Sequence, residues 1–121
     1  YIPARDDLEV FGDKEKLRQV LVNLILNAIK YTEKGKVEIL VEEENKRAKV
    51  IVRDTGIGIP ENYLDRIFER FFRVDKARSR SLGGTGLGLA IVKHIIEAHN
   101  SKVTVTSKEG EGSEFSFLLK K

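Results

Sequence analysis

The 121-residue chain reads as an α+β domain, a two-layer sandwich with helices over one face of a sheet. Three observations predict this. A long helical period runs from Lys14 to Thr32, and a second from Gly86 to Asn100. Two pairs of alternating segments, one on either side of the second helix, read as hairpins. The hairpins are segregated, giving the order β-α-β-β-α-loop-α-β-β.

Leu8 to Phe11 alternates enough for a short first strand. Gly12-Asp13 marks a turn, with Asp13 placed to cap the helix that follows. In that helix Leu17, Val20, Leu21, Leu24, Ile25 and Ala28 recur at helical spacing. Past Val20 it is apolar almost all round, through Leu21, Val22, Leu24, Ile25, Leu26, Ala28 and Ile29. Such a pattern predicts burial on most faces. Lys34-Gly35 closes the helix. Over Lys36 to Glu43, Val37, Ile39 and Val41 alternate with Glu38 and Glu42. Glu44-Asn45-Lys46-Arg47 reads as a hairpin turn, and Ala48, Val50 and Val52 lead to Asp54.

Pro60-Glu61 can open a short helix containing Leu64, Ile67 and Phe68. Phe68, Phe71 and Phe72 read as core anchors for the loop beyond. From Arg73 to Leu82 basic residues occur without a period, as in a mobile loop. In the last helix Leu89, Val92, Ile96 and Leu87, Ile91, Ile95 face the core, and Asn100 suits a left-handed cap. Val103, Val105, Phe115, Phe117 and Leu119 form the final hairpin, turning through Gly110-Glu111-Gly112.

Composition narrows the function. The length suits one domain with one core. With no cysteine, disulfides, thiolate metal sites and cysteine nucleophiles are excluded. Net charge is +3, from 22 basic and 19 acidic residues, so bulk charge does not imply a nucleic-acid partner. No apolar run approaches the roughly 20 residues of a membrane span. A chain beginning at Tyr1 reads as a piece of a longer protein.

Three features carry chemistry. Asn23, Asn27 and Lys30 share one helical stripe, about 60° wide at ~100° per residue. Buried amides demand partners. These could be neighbouring backbone and water, or a hydrated Mg²⁺ and phosphate oxygens, with Lys30 adding positive charge. Asp54 ends a strand before Gly56 and Gly58. It is either a turn-forming residue or a buried carboxylate accepting from the exocyclic amine of adenine, with the glycines admitting a flat ring. Gly84, Gly86 and Gly88 stand at a loop-to-helix junction. They serve a tight turn or present free N–H groups to phosphates. Arg70, Arg73, Arg78 and Arg80 suit a solvated face, or one folds onto a γ-phosphate. His94 and His99 read as structural or surface residues.

Taken together these residues resemble the catalytic, ATP-binding domain of bacterial two-component sensor histidine kinases. Residues 13–32, with Asn23-Leu24-Ile25-Leu26-Asn27-Ala28-Ile29-Lys30-Tyr31-Thr32, resemble its N box. Residues 54–60 resemble the first glycine box, 67–73 the F box and 84–89 the second glycine box. Gly110-Glu111-Gly112-Ser113-Glu114-Phe115 is similar to its trailing glycine pair. The resemblance implies a Bergerat-type sandwich, a mixed five-stranded sheet covered by three helices. It implies ATP and Mg²⁺ as ligands, with Asn27 on the metal and Asn23 beside it on phosphate. Lys30 would meet phosphates, Tyr31 the ring or ribose side, and Asp54 the adenine amine, beside Gly56, Gly58 and Ile59. Residues 73–85 would form the ATP lid, with Arg73 nearest the γ-phosphate. Gly84, Thr85, Gly86, Leu87, Gly88 and Leu89 would hold phosphates. Asn100-Ser101 stands where the family usually has Gly-Gly.

The family's phosphoacceptor histidine lies on a separate dimerisation hairpin, and neither His94 nor His99 resembles its context. The chain is therefore expected to bind ATP without phosphorylating itself. The implied partners are that dimerisation domain of the same kinase and a response regulator, with no nucleic acid and no direct membrane contact, in the cytoplasm. Two alternatives share the fold. One is a hydrolytic GHKL-type ATPase, like the topoisomerase, heat-shock chaperone and mismatch-repair enzymes. Those place a Glu where Asn23 stands, and an amide cannot take a proton from water. The other is an anti-sigma-type serine/threonine kinase, which the Phe68-Phe71-Phe72 pattern disfavours.

Overall fold

A computed structural model of the chain describes residues 12–72 and 87–120. The expected first strand at Leu8–Phe11, Arg73, Arg78, Arg80 and the rest of the 73–86 segment, including Gly84, Thr85 and Gly86, lie outside the described residues.

Helix α1 (Lys14–Lys30) begins where expected, because the Asp13 carboxylate accepts the Lys16 N–H at 3.0 Å. It ends two residues early. The Tyr31 N–H closes onto the Asn27 carbonyl and the Thr32 N–H onto the Ile29 carbonyl. Strands β1 (Val37–Glu44) and β2 (Arg47–Asp54) follow. They join through Asn45, whose φ of 56° suits an asparagine in a tight hairpin. Helix α2 (Gly88–Ala98) precedes β3 (Thr104–Lys108) and β4 (Gly112–Lys120). Asn100 takes the left-handed conformation expected of it, φ 58°.

The strands form one sheet in the order β1-β2-β4-β3, every pair antiparallel. An antiparallel sheet can bury one face and wet the other, and α1 and α2 cover one face here. Val20, Leu24 and Ala28 from α1 and Val92, Ile95 and Ile96 from α2 meet Val50, Val52, Phe115, Phe117 and Leu119 of the sheet. The His99 ring ties the two helices. Its Nε2 accepts the Asp13 N–H at 3.0 Å, and its Nδ1 lies 2.8 Å from the Ile95 carbonyl. With Nε2 accepting, Nδ1 is the nitrogen that donates to the Ile95 carbonyl.

Among the described residues the sheet has four strands, all antiparallel; the first strand of the expected mixed, five-stranded sheet lies outside them. Three other expectations need correction. The helix after Pro60 is one 3₁₀ turn, Glu61–Tyr63. Beyond it the N–H groups of Leu64, Arg66, Glu69 and Phe72 each reach back three residues. The backbone keeps this three-residue spacing, so the described residues hold two α-helices rather than three.

Helix α1 is not buried on most faces. Val22, Leu26 and Ile29 are 46%, 58% and 57% exposed, because the sheet covers one side of the helix and this ridge points the other way. Finally, Phe68 and Phe72 pack inward, Phe68 edge-on to Phe115 at 6.1 Å and Phe72 on Tyr63 at 5.7 Å. Phe71 does not. Its φ of 66° turns the side chain out to 63% exposure, under Arg70 at 5.8 Å.

Candidate nucleotide site

Asp54 ends the inward face of β2, after Val50 and Val52. The register sets Ser113 of β4 directly opposite Asp54, and Ser107 of β3 directly opposite Ser113. Three polar residues thus form a row across three strands, at one end of the apolar face. Asp54 is 6% exposed and Ser113 is 8% exposed. Burial of polar groups is costly unless they are bonded, and here they are. Asp54 Oδ1 accepts the Gly56 N–H at 2.9 Å and the Ser113 N–H at 3.3 Å. Oδ2 receives no bond from the described residues.

Burial pushes the Asp54 carboxyl above the usual aspartate range, and the two backbone N–H bonds pull it part of the way back. The outcome is a half-satisfied buried carboxylate with one oxygen free to accept.

The loop after Asp54 is fastened on two sides. The Ile57 N–H donates to the Tyr31 carbonyl at 3.1 Å, and the Gly110 N–H to the Ile57 carbonyl at 2.8 Å. A Cβ at Gly56 would collide with the Tyr31 carbonyl oxygen, and one at Gly112 with the Asp54 carbonyl oxygen. Gly112 also holds φ at +125°, open to glycine and few others. The glycines expected to admit a ring are therefore needed first for backbone crossings.

Along α1 the candidate residues spread over about 12 Å of axis from Asn23 to Tyr31, at 1.5 Å per residue. Tyr31 abuts the glycine loop, while Asn23 faces Gly88, the first residue of α2. Asn23 Nδ2 is a buried donor without a partner among the described residues, and so is the Thr32 hydroxyl beside Gly56. Among the described residues no side chain caps the N-terminus of α2. The N–H groups of a helix start suit an anion. Lys30 Nζ lies 5.6 Å from the centre of the Tyr31 ring. No cluster of three His, Cys, Asp or Glu able to cage a metal occurs among the described residues.

Residues 12–121 match the family model of the histidine kinase-, DNA gyrase B-, and HSP90-like ATPases. The chain belongs to this family. Within it, the chain is a histidine-kinase-type ATP-binding catalytic domain. It is 47% identical to the sensor histidine kinase WalK of Bacillus subtilis (strain 168), over 98% of this chain and 20% of that protein. It is 49% identical to the sensor protein kinase WalK of Staphylococcus aureus, over 88% of this chain and 26% of that protein. The chain thus spans a fifth to a quarter of those relatives. Among solved structures, the nucleotide-free catalytic domain of histidine kinase ThkA superposes with a TM-score of 0.83 at 37% identity, over 98% of this chain and 75% of that one. Full-length ShkA in complex with AMPPNP superposes with a TM-score of 0.79 at 37% identity, over 91% of this chain and 22% of that one.

The structure gathers the expected ATPase residues into two groups. Tyr31, Asp54, Gly56, Gly58 and Ile59 lie at one end of α1, and Asn23 lies near Gly88 further along the same helix. Ser107 joins these groups without having been singled out from sequence, and Thr32, Gly112 and Ser113 join them after being read only as members of the N box and the trailing glycine stretch. Ser107 and Ser113 were detectable. Each continues an apolar alternation, Val103-Val105-Ser107 and Ser113-Phe115-Phe117-Leu119, with a polar residue on the inward face. No helix among the described residues is long and apolar enough to cross a membrane.

Proposed function

We propose that this ATPase-family domain binds Mg²⁺-ATP and donates the γ-phosphoryl group to a histidine on a separate dimerisation domain of its own kinase. Transfer onward to a response regulator would complete two-component signalling in the cytoplasm. The observation that carries the reading is Asp54, with Oδ1 locked by two backbone donors and Oδ2 left to accept an amine.

Asp54 Oδ2 accepts the exocyclic amine of adenine and fixes the base. Asn23 Nδ2, a buried donor without a partner among the described residues, turns to a phosphate oxygen, and the start of α2 at Leu87, Gly88 and Leu89 does the same. Asn27, one turn along, presents an amide oxygen on the same stripe. The donor set fits a cation that keeps waters and phosphate oxygens rather than one needing a carboxylate cage. When bound, Mg²⁺ offsets phosphate charge. Lys30 adds a positive charge close by. By resemblance, Arg73 and Gly84, Thr85 and Gly86 complete the phosphate contacts. The domain's residues position and neutralise; the attacking imidazole comes from elsewhere. Asn23 cannot act as a base toward water, so hydrolysis is slow.

Calorimetric titration with ADP and ATP, with and without Mg²⁺, tests binding. Mg²⁺-strengthened ATP binding is expected, and no binding overturns the reading. Incubation with radiolabelled ATP tests transfer. Acid-labile label is expected on an added dimerisation hairpin and not on this chain alone. Stable label on the isolated chain, or rapid phosphate release, overturns it.

A further inference from the structure

We propose that Ser107 is a positioning residue for Asp54, resting on the adenine reading of that carboxylate. The Ser107 hydroxyl meets three partners. It accepts the Ile59 N–H at 2.7 Å, donates to the Gly112 carbonyl at 3.0 Å, and lies 2.8 Å from the Ser113 hydroxyl. A hydroxyl carries one proton and two acceptor sites. With the Gly112 carbonyl taking its proton, the Ser113 O–H must donate to it, and every site is then used.

Those partners are not arbitrary. The two donors that lock Asp54 Oδ1 are the N–H groups of Gly56 and Ser113. Gly56 belongs to the loop that Ser107 grips at Ile59, and Ser113 to the strand start that it grips at Gly112 and Ser113. These segments are more than 50 residues apart in sequence, and one side chain holds both. The hydrogen-bond partners of Ser107 are Ile59, Gly112 and Ser113, not Asp54; it acts through the donors. With both donors in place the carboxylate cannot rotate, and Oδ2 keeps its aim. With either one loosened, the side chain gains a second orientation and the amine contact weakens.

Global folding does not depend on this hydroxyl. The loop keeps its bonds from Ile57 to Tyr31 and from Gly110 to Ile57, and β3 keeps its ladder to β4. Ser107 is half-buried on β3, at one edge of the described sheet, where threonine also fits.

The test measures affinity for ADP and for inosine diphosphate, which carries a carbonyl in place of the amine. It uses the wild type, Ser107→Ala, Ser107→Cys and Ser107→Thr, each first shown to melt cooperatively without nucleotide. Wild type prefers ADP. Ser107→Ala weakens ADP about tenfold, the scale of one impaired hydrogen bond to a charged group, and leaves inosine diphosphate within about twofold. Ser107→Cys, with its weak donor and acceptor, loses the same preference, and Ser107→Thr restores it. An equal loss for both nucleotides, or an unchanged ADP preference in Ser107→Ala and Ser107→Cys, overturns the role while leaving Asp54 as the amine acceptor. A wild type that does not prefer ADP overturns the Asp54 reading, and this role with it.

Discussion

Replacing Asp54 with asparagine exchanges one oxygen for an NH₂ and alters little else. Oδ1 is held by two donors, the Gly56 and Ser113 N–H groups at 2.9 and 3.3 Å. The amide oxygen of Asp54→Asn must take that place. The NH₂ is then forced to the Oδ2 position, where it meets the amine of adenine donor against donor. The variant loses a hydrogen bond to a charged group, about 1.5–3 kcal/mol. At 1.4 kcal/mol per decade that is about 10- to 100-fold in ADP affinity. Inosine diphosphate offers an acceptor at the same place, so its affinity rises and the preference inverts. Calorimetric titration of both nucleotides measures this. Unchanged ADP binding, or an equal fall for both, refutes the assignment.

The same variant reports on the buried charge. Burial holds the folded-state pKa of Asp54 above its unfolded value, against the two N–H bonds that lower it. A group raised in this way contributes stability that is full below the unfolded pKa and is lost as pH rises through the folded pKa. Without nucleotide, Asp54→Asn therefore melts close to wild type near pH 3, below the unfolded aspartate value of about 3.9. It melts higher at pH 7. A melting difference that does not change with pH, by scanning calorimetry, refutes the electrostatic account.

Urea unfolding checks five further variants. Removing the acceptor of the Asp13 N–H in His99→Ala costs about 1 kcal/mol, although His99 lies outside the nucleotide site. Gly112→Ala, with a Cβ driven into the Asp54 carbonyl and φ at +125°, costs at least about 2 kcal/mol. Gly110→Ala, at φ 85° with open space around it, costs about 1 kcal/mol. Leu24→Ala, from a fully buried position, costs about 2–5 kcal/mol, while Leu26→Ala, 58% exposed on the same helix, stays within about 0.5 kcal/mol.

Local rules made much of the fold readable. Asp13 capped α1, Asn45 turned the first hairpin and Asn100 ended α2 because each is decided by one side chain and its own backbone. Alternation placed β1, β2 and β4 within a residue or so. The α1 ridge was misread because periodicity reports which residues are apolar, not how many layers the fold has to cover them. Val22, Leu26 and Ile29 are as hydrophobic as Val20 and Leu24, yet no sheet lies on their side. Phe71 escaped for a related reason. Its outward turn depends on a positive φ, which nothing in Phe-Phe-Arg announces. In the site, Asp54 and the asparagine stripe were legible as oddities of type and place. Ser107 and Ser113 were given no role, because a serine beside a turn is ordinary until the strand register sets Ser113 opposite the buried Asp54 and Ser107 opposite Ser113.

The glycines show why motif and mechanism can agree for different reasons. A buried carboxylate with one free oxygen must have its other oxygen satisfied. Here one donor is the Gly56 N–H of the loop that follows Asp54, and the other is the N–H of its neighbour Ser113, directly opposite near the start of β4, so both segments are drawn against the carboxylate. Close approach leaves no room for Cβ atoms, which is why Gly56 stands against the Tyr31 carbonyl and Gly112 against the Asp54 carbonyl. Gly58 crosses the Lys108 carbonyl in the same manner. The glycine spacing is therefore a record of how Asp54 is held. On the proposed reading, affinity for a base then follows from Oδ2, which receives no bond from the described residues.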